Sequence, residues 1–280
     1  MQDIQLYKYE THLHTSQGSL CGSSSGAEQV RFLKEIGYSG CFVTDHFFGG
    51  NTAVDRRLPW DVKIHLFCQG YEDALEEGKK LGFSVFFGLE YGWRATELLT
   101  YGVDKQFLLD HPEIDRMEPV QYISLVHSCG GFVVHPHPFR EAGYIDTIRL
   151  YPRLVDGVEV INASHRDESF NLRARQYAES YSLPMTGGSD THSIFGYPGG
   201  GIVLDEPLLN PHDYLERLKS GRIVKILERS DDYANAKLPL ERICDPGDFP
   251  KRPDLGLLPA ELRKRAEDAY RAMGISERKL

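Results

Sequence analysis

Two histidines stand two residues apart in YETHLHTSQGSLCG, residues 9 to 22. Side chains alternate along a strand, so His12 and His14 would project from one face. Paired imidazoles offer a divalent transition metal two neutral nitrogens, whereas an exposed polar pair ending a strand is the plainer reading. The rest of the chain bears on the choice. Asp45 and His46 close GCFVTDH, Glu90 closes FSVFFGLE, His135 and His137 close GFVVHPHP, and Asp190 and His192 close PMTGGSDTH. Singly, most of these have ordinary readings as a helix N-cap, a rigid proline turn or a polar turn. Glu90 resists that, because a carboxylate after a buried apolar strand needs a cation or several donors to offset its desolvation. Taken together, the strand ends favour a metal centre. A carboxylate can bridge two ions, and Glu90 is the candidate bridge. Two ions roughly 3.5–4 Å apart can hold a bridging hydroxide and stabilise the attacking and leaving oxygens of a displacement at phosphorus.

Such ends need elements to carry them. A strand over about residues 4 to 11, from Ile4 to Thr11, opens the chain, and AEQVRFLKEIGY follows with Val30, Leu33 and Ile36 at helical spacing. The segment from Trp60 to Gly82 holds DALEEGKKLG, a helix closed by a glycine. After FSVFFGLE come ELLTYGV, the helix PVQYISLVHSCG, the strands GFVVHPHP and DGVEVIN, the helix FNLRARQYAESYSL and the strand PMTGGSDTH. A GGGIVL strand and a PHDYLERLKSG helix end the series. Repeated β-α units with continuously apolar strands predict a parallel sheet covered by helices, and about seven units favour an α/β barrel over a doubly wound sheet. The active site of such folds lies at the carboxyl ends of the strands. Beyond Leu238 the chain turns rich in Pro, Gly and charge before AELRKRAEDAYRAMG. Residues 1–237 are therefore read as the catalytic barrel and 238–280 as a C-terminal extension with a terminal helix.

The 280 residues carry a net charge of -9, which argues against non-specific binding to a nucleic-acid backbone. A small anionic substrate stays compatible if metal ions supply the positive charge. No apolar run approaches the roughly 20 residues that span a bilayer. The opening MQDIQLYKYE lacks the basic and apolar regions of a signal peptide. The five cysteines are odd in number and show no CxxC spacing, so the protein is read as cytoplasmic with reduced thiols.

In order along the chain, HLHT (12–15), TDH (44–46), GLE (88–90), HPHP (135–138) and GSDTH (188–192) resemble the motifs of the PHP family, named for polymerase and histidinol phosphatase. The likeness covers about residues 4 to 225. It implies a distorted seven-stranded, TIM-like β/α barrel with a two- or three-metal site that hydrolyses phosphoesters. Carried over by position, it implies that His12 and His14 hold a first metal with Glu90 and Asp190. Glu90 would also reach a second ion bound by His135, and His46 with His192 would hold a third. The family often has a histidine before YG; here the strand reads ELLTYG, and Glu97 is read as the replacing ligand. A carboxylate there shifts preference toward Mn or Fe(II), with Zn still open. A second departure follows HLHT, where many members have an acid or histidine and this chain reads SQGSLCGSSSG. Cys21 is either a thiolate ligand or a small loop residue, and the third metal position is left open.

Arg140, just after HPHP, is a candidate phosphate grip through its bidentate fork, or else a surface arginine. His137 reads as a proton donor to the leaving alkoxide or as a support for a ligand. Asp190 counts as both catalytic and metal-binding. Asn162 faces the same mouth, and His165 and Arg166 lie on the following loop; His65, His111, His127 and His212 are read as structural. The reading is a metal-dependent phosphoesterase with two or three divalent ions (Mn, Fe or Zn). Its substrate would be a small phosphomonoester such as a sugar phosphate, a histidinol phosphate-like compound or a nucleotide. Neither a membrane nor nucleic acid beyond nucleotides is an expected partner, and the sequence assigns no oligomeric state. The rivals are a hydrolase of amide or ester bonds and a non-catalytic metal-binding regulatory module.

Overall fold

In the computed structural model, which describes residues 5–275 except 246, 248 and 249, β1 (Tyr7–Leu13) runs parallel to β2 (Gly40–Val43) across α1 (Gly26–Glu35). Ile4, the expected start of the first strand, lies outside the described residues. A capping box starts α1: the Glu28 N–H donates to Ser25 Oγ at 3.3 Å, and the Ser25 N–H donates to Glu28 Oε2 at 2.8 Å. The segment from Trp60 to Gly82 forms two helices, α2 (Trp60–Phe67) and α3 (Gln69–Leu81), which meet at Cys68. At its start α3 lies against the start of α1, where a Cβ on Gly26 would stand 2.1 Å from the Gly70 carbonyl oxygen. Only glycine permits that approach.

The sheet continues with β3 (Ser84–Trp93) and β4 (Thr96–Tyr101), then α4 (Lys105–Asp110), α5 (Pro119–Ser128), β5 (Phe132–His135) and β6 (Gly157–Asn162). After α6 (Glu168–Tyr181) come β7 (Met185–Gly188), β8 (Ile202–Leu204), α7 (Pro211–Lys219) and β9 (Lys225–Ile226). The chain ends in the short helices α8 (Asp231–Ala234) and α9 (Leu240–Ile243) and in α10 (Ala260–Ala272). Among the described residues the sheet has nine strands, in the order β7-β6-β5-β4-β3-β2-β1-β8-β9. The end of β1 also reaches the segment after β7, through a parallel bridge between Leu13 and Thr191, so the sheet is a nearly closed barrel.

Nine strands replace the expected seven, and the sheet is mixed rather than parallel. β4 runs antiparallel to both neighbours, as does β8 to β1 and β9. For β4 the physical reason is a hairpin that carries no glycine signal. Trp93 and Thr96 are joined by Arg94 and Ala95, both at positive φ (47° and 60°), the backbone a two-residue hairpin demands.

Two bulges set which side chains face inward. Tyr9, Phe42, Leu99, Tyr101, Phe132 and Val134 form the inner cluster. Unbroken alternation from Tyr9 would send His12 and His14 outward. Between Glu10 and Leu13, however, β1 gains one residue on β2, because Glu10 pairs with Cys41 and Leu13 with Val43. Leu13 then joins Val30 and Val43 under the helices, and the two imidazoles turn in. The same device recurs in β6, where Glu159 pairs with Thr186 and Ile161 with Gly187. Val158, Val160 and Ile161 all pack toward α6, which leaves Glu159 and Asn162 inside.

The residues beyond 238 share their cores with the barrel: Ile243 is buried beside Val30 and Leu33, and Leu258, Ala266 and Tyr270 join the cluster of Phe47 and Phe67. No helix among the described residues is long and apolar enough to cross a membrane.

Candidate metal centre

The inward turn of β1 brings His12 and His14 together, with their Nε2 atoms 3.1 Å apart. Their Nδ1 atoms are already engaged. His12 Nδ1 meets Glu159 Oε1 at 3.0 Å, and His14 Nδ1 meets Ser19 Oγ at 3.1 Å. Proton-bearing Nδ1 atoms held this way leave both Nε2 lone pairs facing the same point, the arrangement that metal-ligating histidines use. His192 Nδ1 is likewise held, by the Asp190 carbonyl at 2.9 Å.

Carboxylates close around these rings. Glu90, wholly buried at the mouth end of β3, lies 3.2 Å from His12 Nε2 and 3.3 Å from His137 Nε2. Burial pushes its carboxyl up, but His46 and His12 outweigh that and hold it well below the usual range. Its Oε2 and His46 Nδ1 approach to 2.5 Å, yet both are buried without a hydrogen-bond partner. Asp190 Oδ1 stands 3.2 Å from His14 Nε2. Glu97 faces the same side as Glu90 because the hairpin pairs Glu97 with Gly92 and Glu90 with Leu99. Its oxygens lie 3.7 Å from His46 Nδ1 and 3.6 Å from His137 Nε2.

Four overlapping triads result, each with donor atoms within 4.8 Å of one another: His12–His14–Asp190, His12–Glu90–His137, His46–Glu90–Glu97 and His14–His46–His192. Burial and the His46 and His192 imidazoles together press His14 well below its ordinary range, toward the neutral form a metal ligand needs. Buried imidazoles and carboxylates that converge with unpartnered atoms fit divalent cations.

The sequence-predicted residues fall unevenly. His12, His14, His46, Glu90, Glu97, Asp190 and His192 gather as described. His135 does not: it follows Val134, an inner residue, so alternation points it away from the cluster and toward Tyr151 and Tyr177, with ring centroids 6.0 and 6.4 Å away. Burial drives its imidazole down to about 3. His137 takes its place after a proline turn, at a φ of 29°, and Asp190 is also at positive φ (54°). Non-glycine residues held there are strained, as residues at functional sites often are. Because His137 Nε2 faces Glu90 and Glu97, the role of proton donor to a leaving group no longer suits it. Arg140 Nη1 lies 3.3 Å from Asp190 Oδ2. It lines a cleft of about 630 Å³ with Cys21, His46, Glu97, Tyr144 and His192. His165 stands beside His137, with ring centroids 6.2 Å apart, and its Nδ1 meets Asn171. His65, His127 and His212 lie on α2, α5 and α7, and His111 follows α4.

Supporting residues went unread. Glu159, besides holding His12, accepts the His137 N–H at 3.1 Å and Asn162 Nδ2 at 3.0 Å. Glu10, whose pKa burial raises, accepts the N–H groups of His12 and Ser189 and the Tyr197 hydroxyl, tying the HLHT strand to GSDTH. Asp45 accepts from Thr15 Oγ1 at 2.6 Å and Ser19 Oγ at 2.7 Å, and burial pushes it up to about 6. Glu159, an acid inside the apolar strand GVEVIN, carries the same desolvation cost as Glu90 and is legible on that ground. Glu159→Gln is expected to weaken metal binding by about 10–100-fold, since the neutral amide holds the His12 proton on Nδ1 less strongly than the carboxylate does. A competitive chelator titration checks this; unchanged affinity would remove Glu159 from the site.

Fold and site thus define a class: a mixed α/β barrel with clustered imidazoles and carboxylates at one mouth. A family model described as PHP-associated matches residues 168–223. That match, the five ordered motifs and this barrel together support a PHP-domain family protein. An uncharacterized protein of Methanocaldococcus jannaschii is 30% identical over 129 residues, covering 44% of this chain and 54% of that protein. The chain thus spans about half the length of that curated relative. A two-domain protein from Bacteroides vulgatus, containing a predicted PHP-like metal-dependent phosphoesterase, is similar in fold at a TM-score of 0.59 and 15% identity, over 80% of this chain and 65% of its own. A lesion-specific endonuclease from Pyrococcus furiosus superposes at 0.57 with 12% identity, covering 95% and 72% of the two chains. PsfC from Pseudomonas syringae superposes at 0.54 with 18% identity, covering 82% and 94%.

Proposed function

We propose that the protein is a metal-dependent hydrolase of phosphoester bonds. Its substrate would be a small phosphomonoester such as a sugar phosphate, a histidinol phosphate-like compound or a nucleotide. The observation that carries this reading is the guanidinium of Arg140 at the rim of the ligand cluster, 3.3 Å from Asp190 Oδ2 and lining the cleft with His46, Glu97 and His192. Two or three divalent ions of the Mn, Fe or Zn group would be held by His12, His14, His46, Glu90, Glu97, His137, Asp190 and His192. Bound there, they would activate water and neutralise charge on a phosphoryl group. His12, His14, His46 and Glu90 each belong to two triads; Glu90 is the carboxylate among them, and its two oxygens would let it touch two ions. Glu159, Ser19 and the Asp190 carbonyl keep three imidazoles in the tautomer that presents Nε2. Arg140 would exchange Asp190 for two phosphate oxygens, a match its planar fork favours. The five free cysteines accord with a reducing, cytoplasmic setting.

The test is phosphate release by protein stripped and reloaded with Mn, Fe(II) or Zn, over phosphomonoesters, one phosphodiester and one N-acyl amide. Metal-dependent release from a monoester is expected. Arg140→Ala should raise KM by about 10–100-fold, the worth of one charge-assisted contact, with kcat altered much less. Turnover of the amide alone would replace this reading with amide hydrolysis. Bound metal with silence on every substrate would replace it with a non-catalytic module.

A further inference from the structure

Among the described residues, the C-terminal extension reaches the loop beside the candidate metal centre through Arg252. Ile243 and Leu258 are both buried in barrel cores, and between them Asp245 and Asp254 lie against α1 and the start of α3. Asp245 pairs with Arg31 and donates its N–H to Glu28 Oε1 at 2.8 Å. Asp254 and Gln69 exchange two hydrogen bonds, at 2.7 and 2.8 Å. Two residues before Asp254 stands Arg252. Its Nη1 donates to the carbonyl oxygens of Ser16, Ser19 and Gly22 at 3.1, 3.2 and 3.3 Å.

Those carbonyls belong to the loop from β1 to α1. Three carbonyl oxygens aimed at one point repel one another, so this loop conformation needs a positive donor where the guanidinium sits. What the conformation positions is Ser19. Its hydroxyl donates to Asp45 Oδ1 at 2.7 Å, accepts the His46 N–H at 3.0 Å and meets His14 Nδ1 at 3.1 Å. One donor and two acceptor sites are then fully used. The hydroxyl can only accept from His14, so His14 must carry its proton on Nδ1 and present a bare Nε2 to the cluster.

We propose that Arg252 is a positioning residue of the metal centre: by gathering the carbonyls of residues 16, 19 and 22 it holds Ser19, and through Ser19 the tautomer and aim of His14. The proposal rests on the reading of this cluster as a metal site, and needs nothing of the substrate. It makes the extension part of the centre's architecture as well as a cover for apolar surface.

The test titrates full-length protein with Zn(II) against a chromophoric chelator, alongside hydrogen exchange over residues 16–22. Arg252→Ala is expected to weaken Zn(II) affinity by about 10–100-fold, as loss of a ligand's outer support does, and to speed exchange in the loop. Arg252→Lys, which keeps the charge but not the fork, should fall between, and serves for the comparison if the alanine variant does not fold. Arg265→Ala cuts the extension's contact with Asp61 on α2 and should leave affinity unchanged. Affinity in Arg252→Ala within twofold of wild type, or an equal loss in Arg265→Ala, overturns the proposal. A wild-type chain that takes up no Zn(II) overturns the metal reading itself, which separates the two failures.

Discussion

Glu90→Gln is expected to strip the centre of at least one ion and to lower metal-dependent turnover by about three orders of magnitude, the loss seen when a principal charge-stabilising group is removed. Glutamine keeps the shape of a side chain that is wholly buried, so the packing around Leu89 and Tyr91 survives. What disappears is the one carboxylate that faces His12, His46 and His137 together. A neutral amide cannot offset a divalent charge, and its NH2 group presents a donor where a cation should sit. Metal analysis after dialysis, with circular dichroism to verify the fold, checks the outcome. A full metal complement with turnover within tenfold of wild type would remove Glu90 from the bridging position.

The second large effect separates two histidines of one motif. His137→Ala should cost at least a hundredfold in metal affinity, because Nε2 leaves the group it forms with His12 and Glu90. His135→Ala should leave the metal complement intact and destabilise the fold instead. The His135 ring is buried, its Nδ1 has no hydrogen-bond partner, and it packs among Tyr151 and Tyr177. Truncating a buried ring of that size costs about 2–4 kcal/mol. Thermal unfolding beside metal analysis on both variants decides the matter. Metal loss in His135→Ala with retention in His137→Ala would reverse the roles.

Much of this site was legible without coordinates. Glu90 could be singled out because burying an unpaired carboxylate is too costly to be incidental, and the same physics governs Glu159. The motif ends could be gathered at one mouth because strands of an α/β barrel present their carboxyl ends together. The hairpin of β3 and β4 was not legible: Arg94 and Ala95 adopt a backbone that Asn-Gly would have announced. Arg252 was equally hidden, since 233 residues separate it from Ser19 and its partners are backbone oxygens, which every residue possesses.

By itself the sequence determined which residue types stand at the strand ends, their order, the helices between them and the common face of His12 and His14. Only the tertiary structure decided which face that is. A strand's period of two fixes relative direction alone, and one extra residue between Glu10 and Leu13 exchanges inside for outside. The same holds for Asn162 after the bulge in β6, and the proline turn sends His137 rather than His135 to the cluster. Phase is a property of paired strands, and pairing is settled by the whole barrel.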